Sequence, residues 1–455
     1  ASYAVNLSYE DLPSEVVART KHLILDSVGC ALGASTSPPA TIARAVAQGV
    51  RSDTPATVMV SGLKTSPDLA AFANGSMIRY LDYNDTYTGK GTVHPSDMLA
   101  ASLAAAECAR GDGKAAILGM ALGYEMLCGL TDNGAMEQGP RGPHGYNWDQ
   151  ATYGVISAAV LAARLMGLRK EQMAHAISLA VSSHLSLRQI RVGQISHWKG
   201  CALGNASRNA LFCTMLAAKG MTGPNYIFEG PHGFFMATGG PFEMLPFGGK
   251  GRDFRIMTAR VKPYPSGYFS QSAIEAVLEL RPKISRVEDV KQIRLETFPS
   301  GFQAMGSDES RWLPETRESA DHSLPFVMAM ALMEGDVNVR HYDEERFKQP
   351  DVRAVMAKIK VVVGDESVKA WPEVPLNVLH VELTSGQTLT ARVAYHLGHY
   401  KRLMTDEQQE RKFRPMAEEY AKLPRAQVDR LLDRLRNLEQ VKDISEVLAL
   451  TVAPA

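Results

Sequence analysis

The chain has 455 residues, of which 45% are hydrophobic and 22% are charged, and its formal net charge at neutral pH is zero. This composition is ordinary for a globular protein of about two domains. Without a basic excess, nucleic acid is not an expected partner. The sequence also has no apolar run of about 18 residues, so we expect no membrane partner.

The five cysteines are odd in number and include no Cys-x-x-Cys pair. This pattern is typical of reduced thiols buried as small apolar side chains. It argues against an iron–sulfur cluster, which takes closely spaced cysteine ligands. We therefore expect a cytoplasmic protein, or a mitochondrial-matrix protein if the source is eukaryotic.

Helical periodicity dominates the first 220 residues, and much of the apolar content is small. Apolar residues recurring every three to four positions predict amphipathic or buried helices. The predicted helices cover residues 16–32, 39–50, 66–80, 96–109, 114–130, 153–166, 170–183 and 204–219. The sequence therefore predicts one large all-helical domain over residues 1–265.

The pattern changes after the Pro-rich loop that begins at Lys262. Predicted helices at 271–280 and 323–333 alternate with predicted strands at 291–298, 357–363, 378–384 and 388–395, the last two joined as a hairpin through Ser385 and Gly386. This indicates a smaller α+β domain over residues 266–399. The charged helical segment from Thr405 onward is expected to complete the helical domain with residues 400–455. The predicted fold class is mainly α with α+β.

A polar loop between two predicted helices holds the most reactive set of side chains. Asp82, Asp85, Thr86 and His94 fall within residues 82–97. Loops on a helical scaffold often present acid and base groups to a ligand. The alternative is turn chemistry, because Asp, Asn and Thr also favour turns and Ser96 or Asp97 can cap the next helix.

A cationic set follows in the chain. Arg188, Arg191 and Lys199 precede the predicted helix that begins at Gly204, where free backbone N–H groups favour anions. Lys262 lies in a Pro-bounded loop at the predicted domain junction, where ligands often bind. Together these residues predict an anion site, and the alternative for each is a solvated surface charge.

Two further segments combine polar and aromatic residues before a helix. The segment 141–149 ends in Asp149, and the segment 320–326 contains Asp321, His322 and Ser323. Asp149, Asp321 and Ser323 each fit a helix N-cap equally well, while His322 is a candidate to face a cleft.

The sequence offers neither a metal site nor a nucleophile. The Gly-rich pieces near residues 239 and 248 lack the pattern of a phosphate-binding loop, and no His-Glu-x-x-His or Gly-x-Ser-x-Gly motif occurs. The remaining His, Asp, Lys and Arg residues suit proton transfer beside carboxylates. We therefore expect a cofactor-free lyase or isomerase that acts on an organic polyacid.

Four motifs in order carry a resemblance to a known family. The segments LDYNDT…HPSD, WKGCALGNASRNALFC, KPYPSGYFSQSAIEA and TRESADHSLPF, with YHLGHYK near the end, together resemble the MmgE/PrpD family. That family includes 2-methylcitrate dehydratase, cis-aconitate decarboxylase and iminodisuccinate epimerase. The resemblance covers nearly the whole chain. The amino-acid sequences of the motifs KPYPSGYFSQSAIEA and TRESADHSLPF are most similar to the dehydratase branch.

The resemblance implies a helical domain, an α+β lid, a homodimer, no metal and a site in the cleft between the domains. It implies functional roles for Asp82, Thr86, His94, Lys199 and Lys262. Three departures separate this chain from the decarboxylases, which have a histidine within the loop matching residues 145–154, a histidine at the position of Gly267 and a tyrosine at the position of Phe326. These departures favour a dehydratase.

The hypothesis is elimination of water from a methylcitrate-like tricarboxylate. His94 would be the acid or base, oriented by Asp82 or Asp85, with Lys199, Lys262 and Arg188 holding carboxylates. The remaining predicted members of the site are Thr86, Asp149, as a second candidate proton carrier, and His322. The alternatives are decarboxylation or epimerisation at the same site, or a non-catalytic tricarboxylate-binding protein.

Overall fold

The computed structural model describes residues 1–133, 148–238 and 240–454. Contacts divide the chain into two compact units. The first comprises residues 1–190, 200–260 and 405–455, and the second comprises residues 191–199 and 261–404. Each unit is described by itself below.

The first unit is helical. Its helices up to residue 238 are α1 Ser2–Asn6, α2 Ser14–Gly33, α3 Pro38–Ala47, α4 Pro67–Tyr80, α5 Met98–Cys108, α6 Gly113–Asn133, α7 Ala151–Leu165, α8 Lys170–Ser183, α9 Trp198–Ala218 and α10 Phe234–Thr238. Two short antiparallel pairs accompany them, β1 Ala56–Thr57 with β2 Lys64–Thr65, and β3 Tyr87–Thr88 with β4 Thr92–Val93. None of the described helices is both long and apolar enough to cross a bilayer.

Small side chains let these helices pack closely. Nearly every residue of the Ala-rich helix α5 is buried. A Cβ added to Gly75 in α4 would lie 2.7 Å from the Cα of Gly204 in α9, so the two helix backbones touch where neither residue has a side chain. Small residues at such crossings shorten the distance between helix axes. Four of the five cysteines, Cys30, Cys128, Cys201 and Cys213, are buried here as apolar side chains.

The second unit surrounds a small mixed sheet. Its helices are α11 Gln271–Leu280, α12 Pro299–Met305, α13 Glu309–Trp312, α14 Arg317–Ala320, α15 Leu324–Glu334, α16 Arg340–Asp343, α17 Pro350–Met356 and α18 Asp365–Ala370, and its strands are β5 Val290–Thr297, β6 Ile359–Val363, β7 Asn377–Leu383 and β8 Thr388–Val393. The strand order is β6-β5-β7-β8, with β5 parallel to β6 and the other pairs antiparallel. Helices α11 and α15 are packed in the same apolar core. The predicted fold class is confirmed.

A short segment of the chain belongs to the second unit although the sequence analysis placed it in the helical domain. In residues 191–199, the N–H of Ile195 donates to Ser319 Oγ (3.0 Å) and its carbonyl accepts from Thr316 Oγ1 (3.0 Å). These bonds group the segment with α14. Residues 261–265 and 400–404 also have their contacts in the second unit.

The C-terminal helices α19 Asp406–Pro415, α20 Arg425–Arg436 and α21 Ser445–Leu450 return to the first unit. The ammonium of Lys412 in α19 lies 2.6 Å from Asp26 Oδ1 in α2 and 2.8 Å from the carbonyl oxygen of Tyr83. It also lies 4.0 Å from the centre of the Tyr83 ring. Both charges are almost fully buried, so the ion pair holds α19 against α2, and the bond to Tyr83 holds it against the loop that follows α4.

Replacing Lys412 with alanine is expected to lower the free energy of unfolding by about 3–5 kcal/mol, because it leaves the Asp26 carboxylate buried without its cation. Urea denaturation followed by circular dichroism measures the change. Arg411→Ala, at an exposed position of the same helix, is the matched control and should change stability by less than about 0.5 kcal/mol. Equal effects of the two substitutions would contradict the structural role given to the buried pair.

Candidate functional site

The first cluster of candidate residues begins where helix α4 ends. Asp82 follows the C-cap residue Leu81 and has a φ of +50°, the left-handed conformation usual just beyond a helix C-terminus. Its N–H donates to the carbonyl of Arg79 at 3.1 Å, and its Oδ1 lies 3.0 Å from Arg79 Nη1. Each of the two side chains is only 1% exposed. The helix end therefore fixes a charged pair in the interior.

His94 joins this pair through both ring nitrogens. Its Nδ1 lies 2.7 Å from the main-chain oxygen of Asp85 and 3.3 Å from Thr86 Oγ1. A carbonyl oxygen only accepts, so Nδ1 carries the proton, and Nε2 then accepts from Arg79 Nη2 at 2.9 Å. The ring is thus held as a neutral, defined tautomer beside the Arg79–Asp82 pair.

The sequence analysis expected a carboxylate of Asp82 or Asp85 to orient the His94 ring. The ring nitrogens lie instead within hydrogen-bond distance of Arg79 Nη2, Thr86 Oγ1 and the main-chain carbonyl oxygen of Asp85. Asp82 is linked to the His94 ring through Arg79, because its carboxylate binds the guanidinium that donates to Nε2.

Asp85 itself holds the loop closed. Its Oδ1 accepts from the N–H of Ser96 at 3.1 Å and its Oδ2 accepts from the Tyr124 hydroxyl at 2.5 Å. Asn84 adds bonds to Ser96 Oγ (2.8 Å) and Asp97 Oδ1 (2.9 Å). These contacts favour the alternative in which turn chemistry, rather than substrate, explains Asp85.

Burial raises the pKa of the Asp85 carboxyl, and the hydrogen bonds from Ser96 and Tyr124 oppose that rise. The carboxyl is fully enclosed, which penalises its charged form. Burial and the neighbouring Asp85 also raise the pKa of Tyr124. The pair therefore resists ionisation of either member.

Neighbouring elements fix the rest of the loop. The Tyr87 hydroxyl donates to both oxygens of Asp132 in α6, at 2.9 and 3.0 Å. The N–H of His94 donates to Gln150 Oε1 (2.9 Å), and Thr86 and Arg260 exchange backbone hydrogen bonds. Two helices and an isolated bridge thus position His94 and Thr86.

Two other predicted members of the site in this unit lie at element ends. Asp149 is buried just before α7, and its Oδ1 accepts from the N–H of Ala151 at 3.1 Å, which is a capping contact. Arg188 is exposed in the short 3₁₀ turn Arg188–Arg191. The rest of the polar segment that ends at Asp149, residues 141–147, lies outside the described residues.

The second cluster lies in the second unit. Lys199 Nζ is 2.7 Å from Asp321 Oδ1 and 3.1 Å from His322 Nδ1, and that nitrogen is 2.5 Å from the same Asp321 oxygen. The side chains of Lys199 and Asp321 are 2% and 0% exposed, whereas that of His322 is 20% exposed. An ammonium and an imidazole therefore converge on one buried carboxylate.

This arrangement corrects one expectation and decides between two alternatives. Helix α9 begins at Trp198 rather than at Gly204, so Lys199 lies within its first turn and not before it. Ser323, whose Oγ accepts from the N–H of Phe326 at 3.1 Å, is the cap of α15, and Asp321 binds Lys199 instead.

The loop that carries Lys262 is held beside Asp321. Gly267 N–H and Ser266 Oγ donate to the main-chain oxygen of Asp321, at 2.8 and 2.9 Å. Gln271 Nε2 donates to the carbonyls of Tyr264 and Ser266. The Lys262 side chain is fully buried, which argues against the alternative of a solvated surface lysine.

Two side chains that the sequence analysis did not select are central to these clusters, Arg79 and Lys412. A signal for Arg79 exists, because it stands three positions before Asp82, a spacing that brings charges together at a helix end. Lys412 had no local signal, since Asp26 is 386 positions away in the chain.

The protein is mostly helical with a small mixed sheet, and its buried side-chain clusters contain groups suited to proton transfer. Models of the MmgE/PrpD N-terminal and C-terminal domains match residues 1–245 and 264–438. The chain belongs to the MmgE/PrpD family.

Curated relatives carry two different names. A 2-methylcitrate dehydratase from Cupriavidus necator is 25% identical, over 84% of this chain and 81% of the relative. A cis-aconitate decarboxylase from Aspergillus terreus is 24% identical, over 99% and 95% of the two chains, and one from Homo sapiens is 23% identical, over 98% and 92%. The relatives therefore divide between dehydratase and decarboxylase.

The raised pKa of Asp85 gives a test of its structural role. Because the folded-state pKa lies above the unfolded one, the contribution of this carboxyl to stability is present at low pH and is lost as pH rises through the folded pKa. Relative to Asp85→Asn, the wild-type free energy of unfolding should therefore fall as pH rises from 4 to 7. Urea denaturation of both proteins at several pH values measures this difference, and a constant difference would contradict it.

Proposed function

We propose that this protein is a lyase that removes water from 2-methylcitrate or a related tricarboxylate by abstracting a proton α to a carboxylate. The observation that carries the proposal is the His94 ring, held in one neutral tautomer against the buried Arg79–Asp82 pair. A positioned imidazole beside fixed charges is a typical proton-transfer group.

The reaction develops negative charge on the carboxylate next to the carbon that loses its proton. Buried cations stabilise such charge better than solvated ones, because water no longer screens them. Lys262 and Lys199 are buried, which supports both as partners of the substrate. We assign the developing charge to these two lysines, and the exposed Arg188 to an outer substrate carboxylate.

Dehydration is favoured over decarboxylation by two positions in the second unit. Position 267 is a glycine in the loop bonded to Asp321, and so supplies no ring nitrogen. Phe326 is fully buried, and its ring packs against Tyr342 and Phe347 at centroid distances of 5.5 and 5.8 Å. Neither position offers the proton-carrying group that the resemblance implies for decarboxylases.

Decarboxylation of cis-aconitate is the second candidate. Its support is that decarboxylases match 98–99% of this chain at an identity close to that of the dehydratases. Epimerisation of an iminodisuccinate-type acid would use the same residues.

Incubation of the purified protein with 2-methylcitrate, citrate, cis-aconitate and iminodisuccinate, with products identified by NMR, distinguishes these reactions. We expect an unsaturated tricarboxylate from 2-methylcitrate and no release of CO₂ from cis-aconitate. Release of CO₂ would favour the decarboxylase. Thermal stabilisation by the acids without turnover would indicate a binding protein instead.

His94→Gln and Asp82→Asn should each lower kcat by about 10²–10⁴, because one removes the proton carrier and the other releases the guanidinium that fixes it. His232→Gln, the same substitution at an exposed histidine of the same unit, should leave the rate unchanged. Steady-state rates with 2-methylcitrate measure the effect. Full activity in both site variants would overturn the assignment.

We also infer a homodimer, as the family resemblance implies. The support is a set of large apolar side chains on the first unit that are about half exposed or more, namely Phe212, Met221, Tyr226 and Met236. Several such residues on one protein often mark an interaction surface.

A further inference from the structure

The second unit contains a cavity of about 520 Å³ to which the proposed function gives no role. Its walls are helix α11, the end of strand β8 with the loop that follows it, and Tyr264. All of the lining residues belong to the second unit. The volume lies within the range of about 300–1,000 Å³ that is usual for small-molecule sites. The cavity is therefore large enough for a ligand of its own.

Part of the cavity wall is apolar and firmly held. Leu278, Val393 and Leu397 supply aliphatic side chains, and Tyr395 supplies a ring. The ring is fixed by Lys401, whose ammonium donates to the Tyr395 hydroxyl at 3.1 Å and lies 4.9 Å from the ring centre. A preformed wall of this kind suits the apolar body of a ligand.

One pair of charges in the wall is already satisfied. The carboxylate of Glu275 accepts from the N–H of Leu397 through Oε1 and from Arg402 Nη1 through Oε2, both at 2.6 Å. Arg402 Nη1 also donates to the main-chain oxygen of Tyr395 at 3.1 Å. These contacts close the loop after β8 onto α11, and they need no ligand.

A second pair of opposite charges lines the cavity without being joined. Among the described residues, no ion pair links Arg392 to Glu279 or gives Glu279 another cation. Arg392 Nε lies 3.4 Å from Glu366 Oε2, but both of these side chains are more than half exposed. Such exposed pairs contribute little, and this one leaves both Nη nitrogens of Arg392 to donate elsewhere.

The Tyr264 hydroxyl adds a polar group to the same wall. Within the described ranges of the chain it has no hydrogen-bond partner, although the side chain is partly buried. Burial raises the pKa of Tyr264, and the neighbouring Glu275 adds to the rise. The hydroxyl therefore keeps its proton at neutral pH and can donate it to an acceptor on a ligand.

We propose that this cavity binds a zwitterionic molecule with an apolar body, of which an apolar α-amino acid is the simplest kind. Arg392 and the Tyr264 hydroxyl bind its carboxylate, Glu279 binds its ammonium, and the apolar wall holds its side chain. The four charged lining residues are two carboxylates and two guanidinium groups, so a ligand with one charge of each sign leaves none unbalanced. A tricarboxylate would instead face Glu279 with like charge.

The cavity is connected to the loop that carries Lys262. The N–H of Tyr264 donates to Gln271 Oε1 and its carbonyl accepts from Gln271 Nε2, both at 3.2 Å, so the first residue of α11 holds this loop. The N–H of Val261 donates to the carbonyl of Gly398, in the loop after β8, at 2.9 Å. A ligand that restrains these walls also restrains the Lys262 loop, and the coupling is reciprocal. Only its consequence for catalysis rests on the proposed function.

Calorimetric titration of the full chain tests the ligand class. The probes are L-phenylalanine, L-leucine and L-valine, with 3-phenylpropionate, which lacks the ammonium, and 2-phenylethylamine, which lacks the carboxylate. Phenylalanine should bind about tenfold or more tightly than either analogue, because each analogue loses a hydrogen bond to a charged group. Absence of binding by all three amino acids would overturn the proposal, and so would equal binding of phenylalanine and its two analogues.

Two variants locate the ligand. Arg392→Gln should weaken phenylalanine by about tenfold and leave 2-phenylethylamine unchanged, whereas Glu279→Gln should weaken phenylalanine similarly and not weaken 3-phenylpropionate. Both side chains are exposed, so the fold should be kept, and Arg340→Gln and Glu288→Gln are matched controls at exposed positions of the same unit. Unchanged binding in both variants would place the ligand elsewhere and overturn the site. A loss confined to one variant would overturn the zwitterionic ligand.

Amide hydrogen exchange tests the connection to the Lys262 loop. Saturation with phenylalanine should slow exchange in a peptide that covers residues 261–270, and the same concentration should have much less effect in Arg392→Gln. Unchanged exchange in the saturated wild type would overturn the coupling. None of these measurements needs turnover, so a protein that converts none of the four acids leaves the site standing, and a protein that binds no amino acid leaves the proposed lyase standing.

Discussion

The buried guanidinium of Arg79 is the interaction on which the first cluster depends. Burying a charge is expensive unless it is paired and hydrogen-bonded. Arg79 meets this requirement through Asp82 and through the lone pair of His94, and it lies 3.8 Å from Asp97 at its Nε. Any rearrangement of the loop between α4 and α5 would therefore expose a charge or leave it buried without its partner. The groups suited to catalysis are also the groups that stabilise the loop.

The second unit repeats this arrangement with other residues. An enclosed carboxylate, Asp321, is balanced by Lys199 and carries an imidazole, His322. In both units the ring of a histidine lies against a buried ion pair. The two rings differ in the charged group that each nitrogen meets. A guanidinium bonds Nε2 of His94, whereas a carboxylate bonds Nδ1 of His322.

Much of the fold was predictable because its signals are local. Helices 170–183 and 271–280 were predicted to the residue, and the hairpin through Ser385 and Gly386 forms β7 and β8, with Gly386 at a φ of +87°. The start of α9 was missed because Trp198 and Lys199 show no apolar periodicity with the rest of the helix. Six residues that the sequence analysis selected for the site are all buried or partly buried, namely Asp82, Thr86, His94, Lys199, Lys262 and His322.

The contacts among those residues were not predictable. Nothing local shows that Arg79 rather than a carboxylate bonds His94, or that Lys199 meets Asp321 across 122 positions of sequence. Such pairings are decided by tertiary packing, which a single sequence does not record. The left-handed conformation of Asp82 is a further example, because aspartate is only one of several residues tolerated there.

The cysteines give this protein a built-in reporter of unfolding. All five lie in the first unit, four are buried, and burial holds the pKa of Cys128 well above its usual range. Thiol reagents attack the thiolate, so they react slowly with such side chains until the surrounding helices open. The rate of alkylation of the four buried cysteines therefore records the opening of the helical unit. Circular dichroism would average the loss of that unit with changes in the sheet-containing unit.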